Sequence, residues 1–244
     1  MHPPIYNNIL KNKAQGKKLF AILIDPDKFK PLEIIHLAEV SKVDFILVGG
    51  SLLSNGDFKK CIITLKEKTK IPVVIFPGNN LQISNQADAI LLLSLISGRN
   101  ADLLIGKHVI AAPILKKSNL EVMPTGYMLI ESGKQTTALY MSNTHPIPYD
   151  KNDIAMCTAL AGEQLGLKLI YLDAGSGAAK PVAESMIKEV STAITIPVIV
   201  GGGINSVENA VKACKAGADV IVIGNAIEKS PHLIGEISIA IHSI

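Results

Sequence analysis

The sequence has almost no arginine and no tryptophan, two side chains that commonly contact phosphate groups or macromolecular partners directly. Arg99 is the only arginine, tryptophan is absent, and charged residues make up only 18% of the 244 residues. The net charge of +3 is too small for a nucleic-acid-binding surface, and no lysine run alternates with aromatic residues. We therefore expect no nucleic-acid partner, and any phosphate site must depend on backbone N–H groups, lysines or a metal ion.

The sequence also contains only three cysteines and no apolar stretch long enough to span a membrane. Cys61, Cys157 and Cys214 lie far apart without a CxxC motif, which is typical of buried thiols in a reducing compartment rather than of disulfides or a zinc site. The most apolar stretch, 89–96, is too short to span a bilayer. The N-terminus has no basic segment followed by an apolar one, so no secretory signal is visible. We expect a cytoplasmic protein without a transmembrane span.

Hydrophobic residues, 48% of the chain, form eight short and nearly continuous runs with helical periodicity between most of them. Such runs are typical of parallel strands buried on both faces. The predicted strands are 19–24, 45–48, 73–76, 89–93, 126–130, 169–172, 198–200 and 220–223. Examples of the predicted helices are 32–40, 58–68, 153–165, 182–190 and 207–216. With no linker, residues 1–244 fit a single (β/α)8 barrel, the TIM barrel, as one domain.

Two features bear on this barrel prediction. After the third strand, the connection that begins Pro77-Gly78 is too short for a crossover helix, so an irregular segment is expected over about 77–87. An open doubly wound sheet is the alternative fold. Its glycine-rich fingerprint should follow the first strand, but Asp25-Pro26-Asp27-Lys28 stands there instead.

Glycine-rich turns follow the seventh and eighth predicted strands, where barrels commonly bind phosphate. Gly201-Gly202-Gly203 precedes one predicted helix, and Gly224-Asn225 follows the last strand. Glycines allow the backbone to approach a phosphate closely, and helix N-termini present free N–H donors. Each turn alone could be an ordinary tight turn, but together they predict a phosphate site.

Candidate acids follow the first and sixth strands. Asp173 stands in Tyr171-Leu172-Asp173-Ala174-Gly175-Ser176-Gly177 and could polarise a hydroxyl, or it could simply bind loop backbone. Asp25 begins Asp-Pro-Asp-Lys, which suits a Mg²⁺ and diphosphate site but is also common turn chemistry. Ser51, after Gly49-Gly50, could add a hydroxyl ligand beside Asp25, or the glycines could form a plain turn.

Taken together, these motifs resemble the geranylgeranylglyceryl phosphate synthase and heptaprenylglyceryl phosphate synthase family over essentially the whole chain. The shared motifs are Asp-Pro-Asp-Lys at 25–28, Gly-Gly-Ser at 49–51, Pro-Gly-Asn at 77–79, Pro-Thr-Gly-Tyr at 124–127, the sixth loop at 171–177, Gly-Gly-Gly-Ile at 201–204 and Gly-Asn at 224–225. The last two occur in many phosphate-binding barrels, whereas the first and sixth loops are more specific. The family is a barrel whose third helix is replaced by an irregular segment.

The resemblance implies a prenyltransferase that joins a polyprenyl diphosphate to the C3 hydroxyl of sn-glycerol 1-phosphate with the help of Mg²⁺. Asp25 and Ser51 would bind the metal, and Lys28 and Asp173 would be catalytic. The glycerol phosphate site would comprise Tyr171, Leu172, Asp173, Ala174, Gly175, Ser176, Gly177, Gly202, Gly203, Gly224 and Asn225. The family usually has glutamate at the position of Asp173, and the aspartate here is one methylene shorter.

The resemblance leaves several properties open. The donor is expected to be geranylgeranyl diphosphate, with a longer heptaprenyl donor as the alternative. Tyr127 could line the apolar groove that such a donor needs, or it could be a core residue. A homo-oligomer and a transient contact with a membrane surface are also expected. A different phosphate-barrel enzyme, such as a sugar-phosphate isomerase, and a non-catalytic phosphate-binding barrel remain alternatives.

Overall fold

The computed structural model describes residues 4–29 and 31–244, and these form a closed barrel of eight parallel strands. Each strand pairs with its neighbours in chain order, and β8 closes the barrel on β1. The strands are β1 Leu19–Ile24, β2 Phe45–Val48, β3 Val73–Ile75, β4 Ala89–Leu95, β5 Glu121–Leu129, β6 Leu169–Asp173, β7 Val198–Gly201 and β8 Val220–Ile223. The TIM-barrel prediction is therefore confirmed.

Helices surround the barrel and account for the unbroken hydrophobic runs of the strands. Alternate strand residues point into the barrel, as Ala21 and Tyr171 do, or outward against the helices, as Ile22 and Leu172 do. Both faces of each strand are thus buried. The helices are α1 Ile5–Ala14, α2 Pro31–Val40, α3 Phe58–Lys68, α4 Lys107–Lys116, α5 Thr137–Ser142, α6 Asn152–Gln164, α7 Glu184–Ala193, α8 Val207–Ala216, α9 Asn225–Lys229 and α10 Leu233–His242.

The connection from β3 to β4 is irregular, as predicted. Residues 77–88 contain turns but no helix, whereas α2 and α3 follow β1 and β2. A π-helical segment, Asp102–Gly106, precedes α4. No helix in the described part of the chain is both long enough and apolar enough to cross a membrane.

The structure corrects three local predictions. Strand β5 begins at Glu121 rather than at 126, and α1 was not predicted. The two features are linked, because the Glu121 carboxylate accepts hydrogen bonds from the backbone N–H groups of Ile5 and Tyr6 at 2.6 and 3.0 Å and so caps α1 at the amino end of the barrel. Cys157 is exposed rather than buried, because α6 buries Ala155 and Ala159, one turn apart, on its opposite face.

Candidate functional site

The loops at the carboxyl ends of β1, β2, β6, β7 and β8 surround one cavity of about 600 Å³, a size typical of ligand pockets. This polar cavity brings together all the predicted site residues except Leu172 and Ala174. The predicted residues that line it are Asp25, Lys28, Ser51, Tyr171, Asp173, Gly175, Ser176, Gly177, Gly202, Gly203, Gly224 and Asn225.

Leu172 and Ala174 lie in the same segment but face away from the polar cavity. Their side chains are buried between the barrel and its helices, because successive strand residues point to opposite faces. The Ala174 N–H donates to the Gly201 carbonyl at 3.1 Å, which ties the sixth loop to β7. Their side chains therefore support the loop from outside and do not line the cavity.

Asp173, the last residue of β6, is only 7% exposed and points into the barrel. Its Oδ2 accepts a hydrogen bond from the Tyr127 hydroxyl at 2.6 Å, and its Oδ1 accepts one from the Gly175 N–H at 2.6 Å. Burial raises the pKa of Asp173, and the two hydrogen bonds to the ionised form oppose that rise. The result is a fixed, poorly solvated carboxylate, which is suited to accept a proton from a bound hydroxyl.

Tyr127 belongs to an aromatic cluster beneath the polar cavity. Its ring meets Tyr171 and Phe76 edge to face, with centroids 5.6 and 5.7 Å apart, and Phe76 stacks on Tyr171 at 5.1 Å. Burial and the nearby Asp173 charge raise the pKa of Tyr127 well above its ordinary value, so it remains a hydrogen-bond donor. Sequence reasoning missed the bond to Asp173 because the two residues are 46 positions apart.

The glycine-rich loops contact one another directly. Gly202 has φ +78°, and a Cβ there would lie 2.6 Å from Asp173 Oδ1. Gly203 has φ +70°, and its Cβ would lie 2.8 Å from the Lys180 carbonyl. Both positions therefore require glycine for conformation and for space.

A hydrogen bond and a lysine lie at the end of the polar cavity that these glycine-rich loops form. The Ser176 hydroxyl donates to Asn225 Oδ1 at 2.8 Å and joins the sixth loop to the start of α9. The Lys134 ammonium lies 3.5 Å from where a Cβ on Gly177 would stand. Lys134 therefore brings a positive charge close to Gly177, and no sequence motif identified it.

Asp25 and Ser51 line the opposite side of the polar cavity. Asp25 Oδ1 accepts a hydrogen bond from the Asp27 N–H at 3.0 Å, and a Cβ on Gly50 would lie 3.5 Å from the same oxygen. Within the described residues no group of three or more His, Cys, Asp or Glu side chains could hold a metal. One carboxylate and one hydroxyl beside an open cavity nevertheless fit Mg²⁺, which commonly completes its shell with water and phosphate oxygens.

The two other charged residues of the first loop have different partners. Lys28 Nζ lies 3.5 Å from Asp25 Oδ2 and 3.3 Å from Glu228 Oε2, so its ammonium is held at the cavity edge between two carboxylates. Asp27 instead accepts hydrogen bonds from the loop that follows β2, including Ser54 and Gly56, and these bonds lower its pKa to about 2. Asp27 thus orders the loop. Glu228 had no sequence signal, because it lies 200 residues from Lys28.

A second, mainly apolar cavity opens beside Asp25 and Ser51. It shares Gly50, Ser51, Leu52, Phe76, Tyr127 and Ala138 with the polar cavity. The rest of its wall comes from the irregular segment, β4, the π-helical segment, α4 and α5, and its apolar side chains include Ile83, Ile90, Leu92, Leu95, Leu103 and Met141. Tyr127 therefore lines both cavities, and a ligand with a polar head and an apolar tail could occupy the two together.

His108 is one of several polar residues in the wall of the apolar cavity. Its Nε2 lies 2.9 Å from the Leu93 carbonyl, an acceptor, and 3.5 Å from the Ser94 hydroxyl, so Nε2 carries a ring proton. Nδ1 is buried and has no hydrogen-bond partner among the described residues. The imidazole thus links α4 to β4.

Known proteins resemble this chain over its full length. The PcrB family model matches residues 8–241. The geranylgeranylglyceryl phosphate synthase of Chitinophaga pinensis is 55% identical over 246 residues, covering 100% of this chain and 98% of that protein. The enzyme of the same name from Spirosoma linguale is 56% identical over 229 residues, covering 93% of this chain and 92% of that protein.

A solved structure agrees with these sequence matches. The (S)-3-O-geranylgeranylglyceryl phosphate synthase of Thermoplasma acidophilum, in complex with its substrate sn-glycerol-1-phosphate, superposes with a TM-score of 0.92 at 34% identity and covers 100% of both chains. The resemblance inferred from the motifs is thereby confirmed. The chain belongs to the PcrB family, as a prenyltransferase of the geranylgeranylglyceryl phosphate synthase type.

Proposed function

We propose that the enzyme joins geranylgeranyl diphosphate to the C3 hydroxyl of sn-glycerol 1-phosphate, giving the ether and diphosphate. The observation that carries this proposal is the meeting of two unlike cavities at Gly50–Ser51 and Tyr127. The apolar cavity suits a prenyl chain, and the polar cavity suits two phosphate-bearing groups with a carboxylate between them. A sugar-phosphate isomerase would need only the polar cavity.

The glycerol phosphate would bind at the glycine-rich end of the polar cavity. The proposed contacts are backbone groups at Gly177, Gly203 and Gly224, with the Lys134 ammonium nearby to balance the phosphate charge. Asn225 is held for this contact by the Ser176 hydroxyl. A phosphate anchored there leaves the C3 hydroxyl free to reach Asp173.

The diphosphate of the donor would bind at the other end, near Asp25 and Ser51. Mg²⁺, when bound, would neutralise charge on the leaving diphosphate. Lys28 supplies a second positive charge at the same edge, because its ammonium is already held between Asp25 and Glu228. The prenyl chain would extend from there into the apolar cavity.

The reaction would be a substitution at C1 of the prenyl chain. The C3 oxygen of glycerol phosphate forms a bond to C1, the bond between C1 and the diphosphate oxygen breaks, and its electron pair leaves with the diphosphate. Asp173 orients the attacking hydroxyl and receives its proton. The Tyr127 hydroxyl bond to Oδ2 and the Gly175 bond to Oδ1 fix the carboxylate for this task.

The test is a transfer assay with radiolabelled sn-glycerol 1-phosphate, Mg²⁺ and prenyl diphosphates of several lengths, followed by solvent extraction. We expect label in the organic phase, with the geranylgeranyl donor used best. Preference for a heptaprenyl donor would replace the proposed donor while keeping the reaction. No extractable product with any donor would contradict the proposed function.

We also propose that the enzyme is cytoplasmic and that it self-associates. Support comes from α4, where Val109, Ile110 and Ile114 are 66%, 61% and 51% exposed, because contiguous exposed apolar side chains often mark contact surfaces. Light scattering should give a mass above that of one chain, and Ile110→Lys should reduce it. A monomer that sediments with lipid vesicles would instead favour a membrane-surface contact.

A further inference from the structure

The irregular segment that replaces the third helix contains a buried amide side chain. Gln82 is only 3% exposed. Its Oε1 accepts hydrogen bonds from the N–H groups of Gly78 at 3.2 Å and Gly50 at 3.4 Å, and its Nε2 donates to the Gly50 carbonyl at 2.9 Å. A single side chain thus supplies partners for three backbone groups that no helix or strand satisfies.

These hydrogen bonds join the irregular segment to the loop that carries Ser51. A Cβ on Gly78 would lie 2.1 Å from the Gly50 carbonyl oxygen and 2.8 Å from the Ser51 Cα, so the two loops are packed backbone against backbone. On its other side, Gly50 lies against Asp25, whose Oδ1 would be 3.5 Å from a Cβ there. Among the described residues Gln82 forms no hydrogen bond to Asp25 or Ser51, yet it holds the backbone of Gly50, which lies next to both.

We propose that Gln82 is a positioning residue for the metal and diphosphate end of the site. It keeps the Gly50–Ser51 backbone against Asp25, so that the hydroxyl and the carboxylate can act on the same ion. This inference rests on the proposed function in assigning Mg²⁺ and diphosphate to that end. Residues that orient metal ligands from behind commonly change metal affinity by about 10- to 100-fold when they are removed.

The location of Gln82 gives it a second effect. Pro77, Gly78 and Ile83 of the same segment line the apolar cavity. The hydrogen bonds of Gln82 therefore connect the wall that would contact the prenyl chain to the loop that would contact the diphosphate, and they reinforce the backbone packing between the two.

The experiment compares Gln82→Met with Gln86→Met. Methionine has nearly the shape of glutamine but forms none of the three hydrogen bonds, and Gln86 is an exposed residue of the same segment. Calorimetry measures Mg²⁺-dependent binding of inorganic diphosphate to the full-length protein. Hydrogen exchange follows the amides of 49–51 and 77–83, and thermal melting reports folding.

We expect Gln82→Met to weaken Mg²⁺-dependent diphosphate binding by about 10-fold or more and to speed exchange in both segments, with Gln86→Met matching the wild type. Equal diphosphate binding by the two variants would overturn the proposal. So would a lower melting temperature of Gln82→Met with unchanged Mg²⁺ dependence, because Gln82 would then be only structural. Absence of Mg²⁺-dependent diphosphate binding in the wild type would overturn it as well.

The same data separate this inference from the proposed function. A wild type that binds diphosphate with Mg²⁺ but makes no extractable ether would contradict the transfer reaction alone. The binding ratio of the two variants would still decide the role of Gln82.

Discussion

Replacing Tyr127 by phenylalanine should move the acid limb of the pH–activity profile to higher pH. The substitution removes the hydroxyl that donates to Asp173 Oδ2 at 2.6 Å and leaves the ring in place. Burial raises the pKa of Asp173, and this hydrogen bond lowers it. Without the bond the pKa of Asp173 rises further, so the ionised carboxylate that the proposed reaction requires is lost at a higher pH as the solution is acidified.

The size of the effect follows from the charge on Asp173. A hydrogen bond to a charged group contributes about 1.5–3 kcal/mol, and each 1.36 kcal/mol is about tenfold in rate, so turnover on the acid limb should fall by roughly 10- to 100-fold. At pH values above the acid limb the carboxylate is ionised in both proteins, and the difference in turnover between them should shrink. Asp173 is only 7% exposed, so solvent does not replace the lost donor fully.

The assay is turnover at saturating substrates over a range of pH, with glycerol phosphate affinity measured separately. Tyr6→Phe is the control, because Tyr6 lies in α1 beside Glu121 at the opposite end of the barrel. It should leave the profile unchanged. A Tyr127→Phe profile that overlays the wild type, or that falls equally at every pH, would refute the role assigned to this hydrogen bond.

Three further predictions concern the ends and the centre of the polar cavity. Asp25→Ala should abolish turnover and Mg²⁺ dependence without changing the melting temperature, because the proposed ion loses its charged ligand. Unchanged turnover and an unchanged response to a chelator would show that Asp25 only stabilises the turn. Ser176→Ala should weaken glycerol phosphate binding by about 2- to 12-fold, which corresponds to the loss of one neutral hydrogen bond. Gly203→Val should abolish this binding and lower the melting temperature, because a Cβ at this position would lie 2.8 Å from the Lys180 carbonyl oxygen. Equal glycerol phosphate affinities of the two variants in calorimetry would contradict this site. Asp173→Asn should lower turnover by about 10²- to 10⁴-fold and still bind glycerol phosphate, whereas Asp173→Glu should stay active. Full turnover of Asp173→Asn would show that another residue accepts the proton of the hydroxyl.

The barrel could be predicted because its strands are buried on both faces and leave unbroken apolar runs. Strands β1, β2 and β8 have the predicted bounds, and so do α3 and α8. Strand β5 was predicted too short, because Pro124 interrupts its first half and proline usually marks a strand edge. Helix α4 was missed because Pro113 lies inside it and its apolar residues are exposed as well as buried, so no single face stands out.

The site was predictable wherever a loop carries its own motif, and not where barrel closure pairs distant residues. The glycine loops and Asp25 stand in local patterns, and the structure places them around one cavity. Gln82 and Glu228 have no local pattern, since their partners are 32 and 200 residues away in sequence. Only the closed sheet brings such residues together, and a single sequence does not specify those contacts.

The most direct test of the proposed reaction follows the oxygen of the attacking hydroxyl. The enzyme would be given sn-glycerol 1-phosphate labelled with ¹⁸O at C3, unlabelled geranylgeranyl diphosphate and Mg²⁺, and the extracted lipid and released phosphates would be analysed by mass spectrometry. Attack by the C3 oxygen on the prenyl carbon predicts that ¹⁸O is retained in the ether and absent from the diphosphate. An unlabelled lipid, or ¹⁸O in diphosphate or water, would contradict it.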